Sequence, residues 1–259
     1  MKTALITGAS SGIGEAFADI FAKNGFNIVL VARNGQKMNS ICKTLTEKYK
    51  IKADYIAKDL TKYEASEEIL NELKSKNIHV DALVNNAGFG DYGFFHESDW
   101  QKQREMIDLN MMTLTHLTHL FLPAMVAKKD GYILNVASTA AFQPGPLMSV
   151  YYATKSYVLS FTEGIANEVK EFGVKVSALC PGPTESDFQN KAAMGESKLV
   201  KGKKMPTSYE VAEYGFKSLM NGKVVAVHGF INYLMSLSPG FTPRGVVTSM
   251  VRSMQEKSH

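Results

Sequence analysis

Seven short apolar runs alternate with helical patterns along the 259 residues of this chain. They centre on Leu5-Ile6, Val29-Leu30, Tyr55-Ile56, Leu83-Val84, Ile133-Leu134, Val176-Ser177-Ala178 and Val224-Val225. A short continuous apolar run marks a strand buried on both faces, where strict alternation would mark one wet face. Such strands, separated by helices, pair in parallel with helices packed above and below. The expected fold class is therefore α/β: a doubly wound, parallel, seven-stranded sheet with helices on both faces. In such a sheet ligands sit outside the carboxyl ends of the strands. Thr61 with Glu64, and Thr207 with Glu210, have the spacing of capping boxes, and Asn221-Gly222 marks a helix stop.

The first strand runs straight into Gly8-Ala9-Ser10-Ser11-Gly12-Ile13-Gly14. Helical spacing of Ile13, Ala16, Phe17, Ile20 and Phe21 follows. Strand, glycine turn and helix together offer backbone N–H groups and a helix N-terminus to a phosphate. Gly8 permits a sharp turn, Gly12 lets the backbone approach a pyrophosphate, and Gly14 lets helix and strand pack closely. The spacing G-x-x-x-G-x-G departs from the common G-x-G-x-x-G, and no Gly-Lys-Ser/Thr closes a nucleotide-hydrolysing loop. The second strand ends in Arg33-Asn34 with no carboxylate. An acid there would suit a ribose 2′-hydroxyl, whereas an arginine accommodates a 2′-phosphate. The cofactor expected is NADP(H), with Ser10 and Ser11 as added hydroxyl donors; a merely solvated arginine is the alternative.

Tyr151 and Lys155 are four apart, hence on one helix face. A phenol with a pKa of about 10 is a poor acid–base group near neutrality. An ammonium one turn away favours the phenolate and brings that pKa down. Ser138, just past a strand, is placed to hold a substrate oxygen. Tyr152 is three before the lysine and is expected to face elsewhere.

With these residues assembled, the chain resembles the short-chain dehydrogenases/reductases, to about residue 228. Besides the glycine turn, Asp59-Leu60 resembles the family's adenine-contacting pair. Asn85-Asn86-Ala87-Gly88 resembles the motif closing its fourth strand, Asn110 the asparagine of its next long helix, and Pro181-Gly182 with Thr184 the segment beside the nicotinamide. The resemblance implies a single Rossmann-type domain over residues 1–259 and hydride transfer between NADP(H) and a carbonyl or secondary alcohol. It implies Tyr151 as general acid/base, Lys155 on the nicotinamide ribose, Ser138 on the carbonyl oxygen and Asn110 on a water leading from Lys155. It also implies a homodimer or homotetramer. The gap between Tyr151 and Lys155 is shorter than in enoyl reductases, which favours a carbonyl over a carbon–carbon double bond. An epimerase or dehydratase, or a silent cofactor-binding scaffold or sensor, are the alternatives.

Composition narrows this further. A net charge of +4, scattered along the chain, gives no case for nucleic acid. Cys42 and Cys180 make no disulfide framework, a strand begins within three residues, and no apolar run is long enough to span a membrane. A cytoplasmic protein is expected. His116 and His119 lack a cysteine or carboxylate partner nearby in sequence, so no metal site is expected. Residues 89–98 and 184–206 read as pocket walls or lids, and Lys198–Lys204 as a solvated loop first and an anion patch second. Residues 229–259 depart from the family's short ending. Phe230, Ile231, Leu234, Met235 and Leu237 form one helical apolar face, and Val246, Val247, Met250 and Met254 a second. This extension is expected to pack mainly on its own subunit, its Met-rich side near the substrate entrance. A membrane-surface role ranks last, because basic residues are few.

Overall fold

The structure is a computed structural model that describes residues 1–186, 188, 192 and 205–256. Its strands are β1 Thr3–Thr7, β2 Asn27–Ala32, β3 Ala53–Ala57, β4 Ala82–Asn85, β5 Gly131–Val136, β6 Val174–Cys180 and β7 Val225–Val227. They form one parallel sheet in the order β3-β2-β1-β4-β5-β6-β7. All seven fall on the apolar runs of the sequence.

Alternate side chains of each strand feed two separate cores. Ala4, Ile6, Ile28, Leu30, Val84 and Leu134 face α1 (Gly12–Lys23) and α2 (Gly35–Tyr49). There Phe21 meets Phe26 and Phe216 edge-on, at 5.1 and 4.9 Å between ring centres. Leu5, Val29, Val31, Leu83 and Ile133 face the other way, onto α3 (Ala65–Ser75) and α5 (Leu114–Lys128). The remaining helices are α4 (Trp100–Ile107), α6 (Ser149–Glu168), α7 (Ser208–Met220), α8 (Phe230–Leu237) and α9 (Arg244–Gln255). The strand order reverses between β1 and β4, which opens a crevice at their carboxyl ends.

The helix signals had mixed outcomes. Thr207 and Glu210 form a full capping box at the start of α7, and Asn221 with Gly222 ends that helix. Thr61 and Glu64 do not cap α3. That helix starts at Ala65, and Thr61 gives its backbone N–H and hydroxyl to Asp59 at 3.1 and 2.9 Å. Asp59 thus takes the backbone N–H that Glu64 would accept in a capping box.

The C-terminal helices also differ from expectation. α8 buries none of its residues, so its apolar face does not pack within the subunit. α9 buries Val247, Val251 and Gln255, whereas Val246 and Met250 are exposed. Its inner face is thus rotated from the apolar stripe of the sequence by a fully buried glutamine. Between β4 and α4, Phe89 and Tyr92 pack inward while Phe94, Phe95 and His96 are exposed. Most of residues 184–206, including Lys198–Lys204, lie outside the described residues. Among the described residues, no helix is long and apolar enough to cross a membrane.

Candidate active site

The crevice is a cleft of about 1400 Å³, larger than the roughly 300–1,000 Å³ of a common ligand pocket. It has room for a dinucleotide and a second molecule. At one end lies the turn after β1. Gly8 has φ +65°, and a Cβ on it would sit 2.9 Å from Ala87 Cα. A Cβ on Gly14 would lie 2.4 Å from the Gly8 carbonyl oxygen, so helix and strand pack as closely as the sequence implied. Gly12 has φ +60° and lines the cleft with Ser10, Ser11 and Ile13, whereas Gly14 sits behind it.

Asn86 braces this turn. Its carboxamide donates to the carbonyls of Thr7 and Gly8 at 2.9 and 3.3 Å, and its backbone N–H donates to Thr7 Oγ1 at 3.0 Å. The side chain of Asn86 therefore shapes the cradle, while Ala87 and Gly88 complete the wall beside it. Glycine conformations and spacing of this kind fit a pyrophosphate laid over the N-terminus of α1.

Arg33, Asn34, Asp59 and Leu60 gather at the outer rim. Arg33 is exposed, and Asn34 accepts from Lys37 N with its side-chain oxygen at 3.0 Å as the cap of α2. That leaves only the Asn34 amide nitrogen to turn towards a ligand. Burial pushes the Asp59 carboxyl up, but the Thr61 bonds and the Arg33 charge outweigh it and hold the group below its ordinary range. Lys37 and Lys58 also line this end, a basic contribution not read from the sequence. They are engaged by Glu15 at 3.3 Å and Glu68 at 2.8 Å, in ion pairs open to solvent. Among the described residues Arg33 has no such partner.

Deeper in the cleft stand Ser138, Tyr151, Tyr152 and Lys155, with Pro181, Gly182 and Thr184 beside them. Ser138 follows β5 and receives Ala140 N–H at 3.1 Å, fixing its hydroxyl at the strand end. Lys155 donates to the Val136 carbonyl at 2.7 Å, and its ammonium lies 5.8 Å from the centre of the Tyr151 ring. Burial lowers the Lys155 pKa to about 8. Burial also drives the Tyr151 phenol well above its ordinary value, opposed by the nearby Ser138 hydroxyl. The expected lowering of the Tyr151 pKa by Lys155 is thus reversed. Desolvation favours the neutral form of each group and is the largest cause of both shifts.

Tyr152 does not turn away from the cleft either. It lines the wall beside Tyr151, clamped between Gly145 and the C-terminal end of α9. A Cβ on Gly145 would lie 2.1 Å from the Tyr152 ring. Only Tyr151, however, is placed with both Ser138 and Lys155.

Asn110 reaches this group from a π-helical turn, Asp108–Thr113, between α4 and α5. Its amide donates to the Phe89 carbonyl at 3.0 Å and to Thr154 Oγ1 at 3.1 Å, and its oxygen accepts from Phe89 N at 3.2 Å. A Cβ on Gly88 would meet Asn110 Oδ1 at 2.9 Å and Lys155 Nζ at 3.6 Å. Asn110 and Lys155 therefore flank the Gly88 backbone, although Asn110 does not line the cleft itself. The widened turn that aims Asn110 left no mark in the sequence.

A fixed glycine cradle with a titratable tyrosine and lysine deeper in the same crevice is the layout of a dinucleotide-dependent oxidoreductase. Residues 2–197 match the family model described as short chain dehydrogenase. A hydroxysteroid dehydrogenase-like protein 1 from Gallus gallus is 35% identical over 183 residues, 70% of this chain. The chain spans 55% of that relative's length. A short-chain dehydrogenase from Sphingobium yanoikuyae in complex with NADPH superposes with a TM-score of 0.82 at 27% identity, covering 93% of this chain and 95% of the other. Another from Burkholderia phymatum, in complex with NAD, gives 0.79 at 25% identity, covering 91% and 92%. The chain belongs to the short-chain dehydrogenase/reductase family. It is a pyridine-nucleotide-dependent oxidoreductase on a Rossmann-type sheet.

Proposed function

We propose that the protein transfers hydride between NADP(H) and a carbonyl compound or its secondary alcohol. The observation that carries this reading is the meeting of Ser138, Tyr151 and Lys155 in the cleft that begins at the glycine cradle. Gly8, Ser10, Ser11, Gly12 and Ile13 would cradle the pyrophosphate, with Gly14 behind them packing helix on strand, Asp59-Leu60 would hold the adenine, and Ala87-Gly88 with Pro181, Gly182 and Thr184 the remainder of the dinucleotide. A bound nicotinamide supplies or accepts the hydride. Tyr151 gives its proton to the carbonyl oxygen as charge develops on the substrate. Ser138 donates to the same oxygen, where a fixed donor is worth most. Lys155 in its charged form favours the phenolate left on Tyr151. Asn110 holds the Phe89 backbone next to Gly88 and would position a water that leads from Lys155 to solvent.

Preference for NADP(H) is supported by Arg33, a planar donor fork suited to phosphate that has no ion-pair partner among the described residues, with Lys37 and Lys58 nearby in ion pairs open to solvent. The chain would work in the cytoplasm as a homodimer or homotetramer. The test is a panel of ketones and aldehydes with NADPH or NADH, read as loss of absorbance at the reduced-cofactor band. Turnover faster with NADPH supports the reading; no oxidation of either cofactor by any carbonyl refutes it.

A further inference from the structure

From the placement of α8 we infer that the substrate carries a long or bulky apolar arm, and that α8 is the wall on which the arm lies. This inference rests on the carbonyl reading of the site. Phe230 and Ile231 are 75% and 73% exposed, yet both line the cleft, as do Met235 on the same helix and Met254 on α9. Exposed apolar area of this kind is unfavourable in water and marks a surface built to be covered. No residue of Phe230–Leu237 is charged. Of its polar side chains, Asn232 and Ser236 also line the cleft, but each donates to the chain itself: Asn232 Nδ2 to the His228 carbonyl at 2.8 Å and Ser236 Oγ to the Tyr233 carbonyl at 2.7 Å. The wall therefore offers little to a sugar, a phosphate or an ionised arm.

The cleft itself favours the substrate over other occupants of this face. Phe230 and Ile231 are wall and rim at once, so a second copy seated on them would close the mouth. A small substrate held at Tyr151 would leave both uncovered. An arm running from the carbonyl out along α8 covers them and leaves the mouth open to exchange.

The experiment is a series of methyl ketones from methyl ethyl ketone to methyl decyl ketone, with NADPH, in the wild type and in Phe230→Ser/Ile231→Ser. These positions are exposed, so the variant folds. Burial of a methylene contributes up to about fourfold in kcat/KM, so kcat/KM should climb with chain length and level off once the arm passes Met235. In the double variant the ratio of the longest to the shortest ketone should fall at least tenfold. A wild-type kcat/KM independent of length overturns the inference and leaves the carbonyl reading standing. An unchanged ratio in the variant, with a changed mass in light scattering, overturns it in favour of a subunit contact. No turnover at any length removes the carbonyl reading and the inference together.

Discussion

Lys155 shows how far burial can rule a single side chain. Its lowered pKa of about 8 means the ammonium is present below that pH and lost above it. The proposed reduction uses the charged form beside Tyr151, so kcat/KM for a ketone should fall as pH rises through about 8. A profile flat from about pH 7 to 9 would show that Lys155 does not act by charge. The same shift has a stability consequence. The unfolded chain keeps this proton up to its ordinary value of 10.5, so above pH 8 it binds more protons than the native state, and stability rises with pH. The thiols of Cys42 and Cys180, both raised from 9.0 to about 12 by burial, act oppositely above 9. The rise is thus confined to about pH 8 to 9, and thermal melts of Lys155→Met should lack it. In the proposed reading Arg33 would carry the cofactor preference. A charge-assisted hydrogen bond is worth about 1.5–3 kcal/mol, so NADPH should bind roughly ten- to a hundredfold tighter than NADH. Fluorescence titration of Arg33→Ala should show that difference collapse, and an unchanged preference would contradict the assignment. That Tyr151, Lys155 and Ser138 meet in one cleft with Arg33 at its rim was legible because spacing and strand ends are written in the sequence. The direction of the tyrosine and lysine shifts was not, because desolvation depends on everything packed around a group.

The elements divide along the same line. β1 to β7 were legible because each centres on a short apolar stretch, even where a charge intrudes, as Asp54 does in β3 and Lys175 in β6. The start of α3 was not, because Asp59 captures Thr61, and the π turn at Asp108–Thr113 has no residue signature at all. The inner face of α9 was misread because burying Gln255 breaks the apolar pattern. α9 supplies Val247 and Val251 to the cluster that contains Met148, Tyr151 and Tyr152, and α8 supplies cleft wall. Removing residues 240–259 should therefore weaken substrate KM and expose apolar surface while changing NADPH affinity little. Full activity and unchanged mass in the truncated protein would show α9 to be dispensable. At the start of α7, Thr207→Ala removes a capping box and should cost about 0.5–2 kcal/mol in urea unfolding. No loss of stability would mean that neighbouring donors replace the cap.

At the scale of the whole molecule, every chemistry-bearing residue except Gly14 and Asn110 lines one cleft at the carboxyl edge of the sheet. The cradle at one end and the tyrosine at the other are parts of a single path. Light scattering should give the mass of two or four copies, and a monomer active at the same concentration would contradict the expected assembly. The measurement closest to the central claim separates chemistry from binding on that path. NADPH oxidation by a ketone and NADPH affinity by fluorescence are compared in the wild type, Tyr151→Phe and Tyr152→Phe. Loss of a general acid costs about 100- to 10,000-fold. Tyr151→Phe should lose turnover by that factor and keep its NADPH affinity, while Tyr152→Phe keeps most of both. Full turnover in Tyr151→Phe, or its loss only in Tyr152→Phe, would contradict the account.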